Sequence, residues 1–102
     1  MIYNSRNTIQ KEKDIQKDII KYLNSLNNVY YVRVTHSSKN GVPDLILCIN
    51  GNFIAIEIKR LNGKVSQLQK LNIDKIKQAN GKAYIVYTLQ EVKDIVTRYN
   101  TI

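Results

Sequence analysis

Apolar residues recur along this chain in two rhythms. Ile15, Ile19, Ile20, Tyr22, Leu23 and Leu26 fall on one side at helical spacing, which predicts a helix from about Ile9 to Leu26. Asn27-Asn28 breaks it. Val29 to Thr35 is β-branched and aromatic and reads as a strand. A polar loop, His36 to Gly41, leads into two apolar runs, Val42 to Ile49 and Phe53 to Lys59. Asn50-Gly51 between them is the strongest short signal for a two-residue hairpin turn. Ser66 with Gln69, and Thr88 with Glu91, have the spacing of a capping box, so each pair opens a helix. Leu68, Leu71, Ile76 and Ala79 are expected to make the inner face of the first of these helices. Val92, Ile95, Val96 and Tyr99 supply the stripe of the second. Asn80-Gly81 is a helix stop, and Ala83 to Tyr87 reads as a strand. The predicted order is α-β-β-β-α-β-α, an α/β fold in one domain over residues 1–102, with residues 1–8 as a short polar arm.

The hairpin has a chemical consequence. If Ile49 faces Asn52 across the turn, Asp44 faces Glu57 on the same side of the sheet, with β-carbons about 4.5–5.5 Å apart. Lys59 lies two residues on and joins that face. Like charges directly opposite one another destabilise a sheet, and burial makes this worse. Either these strand ends reach solvent, or a divalent cation sits between the acids. Mg²⁺ takes hard oxygen ligands and is commonly held by one or two carboxylates with phosphate and water. On the first helix, Glu12 and Gln16 fall inside the apolar arc, whereas Asp14 and Asp18 fall outside it. Glu12 either bends out to water from the first turn or supplies a third carboxylate to the same site.

Composition narrows the partners. The 102 residues are 43% hydrophobic, enough for one modest core. A formal charge of +8 favours a polyanionic partner, most often nucleic acid. Unbroken apolar runs reach about five residues, as in Leu45 to Ile49, against roughly 20 needed to span a bilayer. The start of the chain lacks a signal-type apolar core. The single cysteine, Cys48, excludes an internal disulfide and is expected to be a small core residue, which suits a reducing cytoplasm.

Pro43-Asp44 followed by Glu57-Ile58-Lys59 resembles the PD-(D/E)xK nuclease signature. The wider set resembles the virus-type replication-repair nuclease (VRR-NUC) domain. Glu12 with Gln16 is similar to the acid and glutamine on that domain's opening helix. Gly41-Val42-Pro43-Asp44 is similar to its Gly-x-Pro-Asp element, and Glu57-Ile58-Lys59 to its Glu-x-Lys strand. Ser66-Gln67-Leu68-Gln69, with Gly81 downstream, is similar to its Ser-x-x-Gln helix and the glycine before its final core strand. The likeness runs from about residue 10 to about residue 90. The loop from His36 to Asn40 is shorter than in many relatives, which bears on substrate preference.

The resemblance implies a restriction-endonuclease-like αβββαβ core with a C-terminal helix, its mixed central sheet flanked by helices. It implies a Mg²⁺- or Mn²⁺-dependent endonuclease acting on branched DNA as a homodimer, similar to Holliday junction resolvases. A phage or mobile-element origin would place it in the cytoplasm of a bacterial host or phage-infected cell. Asp44, Glu57 and the Ile58 carbonyl would ligate the metal, with Glu12 holding a second ion or a metal-bound water. Lys59 would position or deprotonate the attacking water and neutralise developing charge. Gln69 would touch the site, although the capping box accounts for it equally well. Lys39, Lys64, Arg33 and Arg60 are candidates for phosphate contacts. His36 and Ser37 join them, though a lone histidine beside serines also fits a plain polar surface. Other readings stay open: a non-catalytic basic DNA-binding module with a nuclease-like fold, a nuclease of this fold acting on other DNA structures, or a small structural protein with no divalent-ion requirement.

Overall fold

The computed structural model describes residues 9–101. The expected arm at residues 1–8 lies outside them. Three helices and four strands alternate as α1 (Glu12–Asn24), β1 (Val29–Arg33), β2 (Leu45–Ile49), β3 (Asn52–Ile58), α2 (Gln67–Gln78), β4 (Lys82–Val86) and α3 (Leu89–Tyr99). This is the predicted order. Helix α1 begins later than the periodicity suggested: Ile9 lies before it and is 40% exposed.

The strands lie side by side in chain order. β1–β2 and β2–β3 pair antiparallel, whereas β3–β4 pair parallel, with α2 as the crossover. The β2–β3 register opposes Ile49 to Asn52 and Leu45 to Ile56, as the turn predicted. Asn50 and Gly51 both have positive φ, 53° and 82°, the backbone that a type I′ turn demands.

Alternation along the strands decides which helix covers which residue. Leu45, Leu47 and Ile49 of β2, with Ile54, Ile56 and Ile58 of β3, point to one face. There they meet Ile15, Ile19 and Leu23 of α1 and Val92, Ile95 and Val96 of α3 in the main core. The opposite face carries a smaller cluster, Ala55 and Ala83 against Ile73 of α2, with Ile46, Ile76 and Ile85 packed around it. The sheet is thus sandwiched between α1 and α3 on one side and α2 on the other.

That second face differs from expectation. In α2 the buried residue is Ile73, whereas Leu68 is 43% and Leu71 47% exposed and Ala79 is exposed. Only a narrow stripe of α2 touches the sheet, with Ile73 seated over Ala55 and Ala83 and Ile76 beside it. Cys48 is exposed rather than a core residue. It points to the α2 side of β2, where α2 does not reach. Both helix-opening capping boxes form. Among the described residues no helix is long and apolar enough to cross a membrane.

Candidate active site

Asp44 and Glu57 meet at one end of the sheet, on the α2 face. Asp44 immediately precedes β2, and its position follows from three neighbours. Gly41 turns the chain with φ of 79°, so closely against α2 that a β-carbon there would lie 2.9 Å from the Leu68 backbone. Pro43, fully buried, then fixes the backbone before the acid. Asp44 itself is tied to both adjacent strands. Its carbonyl accepts from Val34 N–H at 2.8 Å, and its Oδ2 accepts from Ile58 N–H at 2.7 Å. The carboxylate therefore closes the ladder where regular β2–β3 pairing stops.

Glu57 is the charged residue most deeply enclosed among those described, at 2% exposure. Its Oε2 accepts from Gln69 Nε2 at 3.0 Å, and Lys59 Nζ stands 4.0 Å from the same oxygen. Gln69 also completes the α2 capping box: its Oε1 accepts from Ser66 N–H at 2.9 Å, and its own N–H donates to Ser66 Oγ at 3.1 Å. One side-chain amide thus caps the helix with its oxygen and holds the buried acid with its nitrogen. The two roles weighed from sequence for Gln69 coexist.

Electrostatics show what this closeness costs. Burial, then the adjacent Asp44 carboxylate, push Glu57 up to about 8, only partly offset by Lys59. Asp44 is also raised, mainly by burial, against the lowering effect of the Ile58 N–H. Without a cation the pair holds a proton at neutral pH, as close carboxylates do.

Glu12 stands beside this pair. Helix α1 packs on the opposite face of the sheet, so its first turn approaches around the strand ends. A β-carbon on Gly63, in the connector after β3, would lie 3.4 Å from Glu12 Oε2. The Glu12 charge is felt by both acids and raises each. The three carboxylates do not converge into one cluster, however: among the described residues no group of three or more His, Cys, Asp or Glu side chains is placed to hold a metal ion. Gln16, one turn along α1 from Glu12, is half-buried.

The cationic candidates divide between the two faces of the sheet. Arg33 ends β1 opposite Leu45 and so shares the α1–α3 face, away from the acids, while Arg60 and Lys64 lie exposed on the connector that follows Lys59. His36, Ser37 and Lys39 line a shallow depression of about 310 Å³ together with Gly41 and Val42. Asn72 Nδ2 donates to the Asn40 carbonyl at 3.1 Å and so ties this loop to α2. Sequence reasoning missed that tie and the Ile58 bond to Asp44, since both join distant segments and leave no local pattern.

The sequence matches the VRR-NUC domain over residues 4–90. The chain belongs to the VRR-NUC domain family. Two solved structures have the same fold. One, a "VRR_NUC domain", shares 20% identity at a TM-score of 0.73, covering 88% of this chain and 98% of its own. The other, a "VRR_NUC domain protein", shares 18% identity at a TM-score of 0.74, covering 90% of this chain and 89% of its own. The comparison with curated proteins finds no match. Membership gives this VRR-NUC domain a nuclease-like fold, and the family generally uses divalent metals.

Proposed function

We propose that this VRR-NUC domain is a Mg²⁺- or Mn²⁺-dependent, structure-specific DNA endonuclease, cutting branched DNA such as four-way junctions as a homodimer. The supporting observation is the buried Glu57 carboxyl set against Asp44, with Lys59 and Gln69 on the same oxygen. A pair of hard oxygen donors whose mutual repulsion raises their proton affinity suits a divalent cation, which would displace the shared proton. Asp44, Glu57 and the Ile58 carbonyl would hold the ion, and Glu12 would hold a second ion or a water of the first. When bound, the ion would polarise the scissile phosphate and activate water.

The chain's own residues do the rest. The Ile58 N–H fixes the Asp44 rotamer, and Gln69 fixes Glu57. Lys59 places a positive charge where phosphoryl oxygens gain negative charge, and it positions or deprotonates the attacking water. Lys39, Arg60, Lys64, His36 and Ser37 contact phosphates, which orients DNA without reading sequence; Arg33, on the other face of the sheet, is left out of this set. With few elements left to read bases, the domain recognises DNA by shape.

A labelled four-way junction incubated with Mg²⁺ tests this. Wild-type protein should nick it, and EDTA should stop it. Asp44→Ala and Glu57→Ala should abolish cleavage while retaining DNA binding. Lys59→Ala should lower the rate sharply with metal affinity little changed. Nicking at wild-type rate by either acid variant would remove these residues from the chemistry.

A further inference from the structure

The α2 face carries a second feature, at the far end from the acids. There the start of β3, the start of β4 and the end of α2 enclose a cavity of about 580 Å³, a size typical of small-ligand sites. Phe53 lines it and is 48% exposed. Lys39 and Lys75 line the cavity with the ring, and none of the lining residues is acidic. A large exposed aromatic flanked by lysines has no role in the core.

The ring is held in place. Asn80, not Gly81, takes the positive φ that ends α2, at 68°. Gly81 serves a different need: a β-carbon there would lie 2.7 Å from Ile76 Cγ2 and 3.1 Å from Phe53 Cδ1. The glycine makes room for the phenyl ring against the end of α2.

The cavity is linked to the catalytic end. Phe53 and Glu57 are four residues apart on one strand and share its face, so they stand about 13 Å apart at the usual rise of a strand. Lys39 lines both this cavity and the depression formed by the loop that leads into Asp44. One lysine therefore connects that loop to the surroundings of the ring.

We propose that this cavity binds one nucleotide of a single DNA strand, its base stacked on Phe53 and its flanking phosphates met by Lys39 and Lys75. Stacking on an aromatic within a positive groove is the general means of holding unpaired nucleic acid without sequence preference. A branch point exposes unpaired nucleotides, so the cavity would engage the strand a short distance from the bond being cut. This deepens the proposed nuclease reading and rests on DNA being the partner.

Fluorescein-labelled oligothymidine in EDTA isolates binding from cleavage. Phe53→Ala should weaken affinity about tenfold, within the range found for loss of one base stack. The chain has no tryptophan, so Phe53→Trp supplies a unique fluorophore at the site. Its emission should be quenched as oligothymidine is added, with affinity at or above wild type. Lys39→Ala with Lys75→Ala should weaken binding and flatten its salt dependence. Unchanged affinity in Phe53→Ala, or an unquenched Phe53→Trp, would overturn the proposal. So would a fall in sedimenting mass in Phe53→Ala, which would make the ring a contact between two copies of the chain. Junction cleavage with Mg²⁺ separates the two readings. A chain that stacks oligothymidine but cuts nothing overturns the nuclease alone; one that cuts while ignoring Phe53 overturns the cavity alone.

Discussion

Gln69 shows how much one residue can be asked to do. Its oxygen caps α2 and its nitrogen satisfies a buried acid. The two roles separate by substitution. Gln69→Glu keeps an acceptor for the Ser66 N–H, so the helix cap survives, but it cannot donate to Glu57 and adds another carboxylate beside the acids. Its thermal midpoint should stay close to that of Gln69→Ala or above it, while junction cleavage falls at least tenfold from wild type. Titration of the acids gives a second prediction. The folded state holds Glu57 protonated up to about 8, against an ordinary value of 4.5. Between those values the folded chain binds more protons than the unfolded one, so stability falls as pH rises through that window. Asp44 is shifted in the same direction and adds to the slope. Thermal melts in EDTA should therefore show a midpoint declining from pH 5 to pH 8, and Glu57→Gln should remove most of the decline. Mg²⁺ should raise the midpoint more at pH 8 than at pH 6, since binding must displace the shared proton.

Two glycines with nearly the same backbone do different work in their elements. Gly51 has φ of 82° in the hairpin turn, and nothing lies within 4 Å of where its β-carbon would be. Gly51→Ala should cost only the left-handed backbone penalty, about 1–2 kcal/mol. Gly41 has φ of 79° but faces the Leu68 backbone at 2.9 Å. Gly41→Ala should cost that penalty and, in addition, push apart α2 and the segment carrying Asp44. Urea denaturation should rank Gly41→Ala clearly below Gly51→Ala, and Gly41→Ala alone should slow cleavage. Equal costs would mean that the approach to α2 relaxes freely.

The Asp44–Glu57 pair gives each chain one proposed catalytic site, and the proposed junction substrate would present two strands to cut. A two-fold homodimer would pair the sites symmetrically. Light scattering at low micromolar concentration should give twice the mass of the chain, which is 11.8 kDa; the monomer mass would refute the dimer. The sheet's α2 face leaves Tyr30, Val32 and Phe53 exposed beside Leu68 and Leu71, so apolar surface remains on the side that also carries the acids.

The local grammar of this chain was written in residues close together in sequence. The Asn50-Gly51 turn fixed the β2–β3 register, and that register placed Asp44 across from Glu57 with Lys59 alongside. Both capping boxes, the element order and the stripe of α3 were legible for the same reason: each depends on contacts within about one helical turn or one hairpin. Tertiary packing decided what spacing could not. It put α1 on the opposite face from the acids, so that Glu12 approaches around the strand ends. It gave α2 a narrow stripe centred on Ile73 over Ala55 and Ala83, and so left Leu68, Leu71 and Cys48 outside. It set Phe53 beside lysines drawn from two separate segments, Lys39 and Lys75. Which face a helix covers depends on side chains far away along the chain, and no local pattern carries that information.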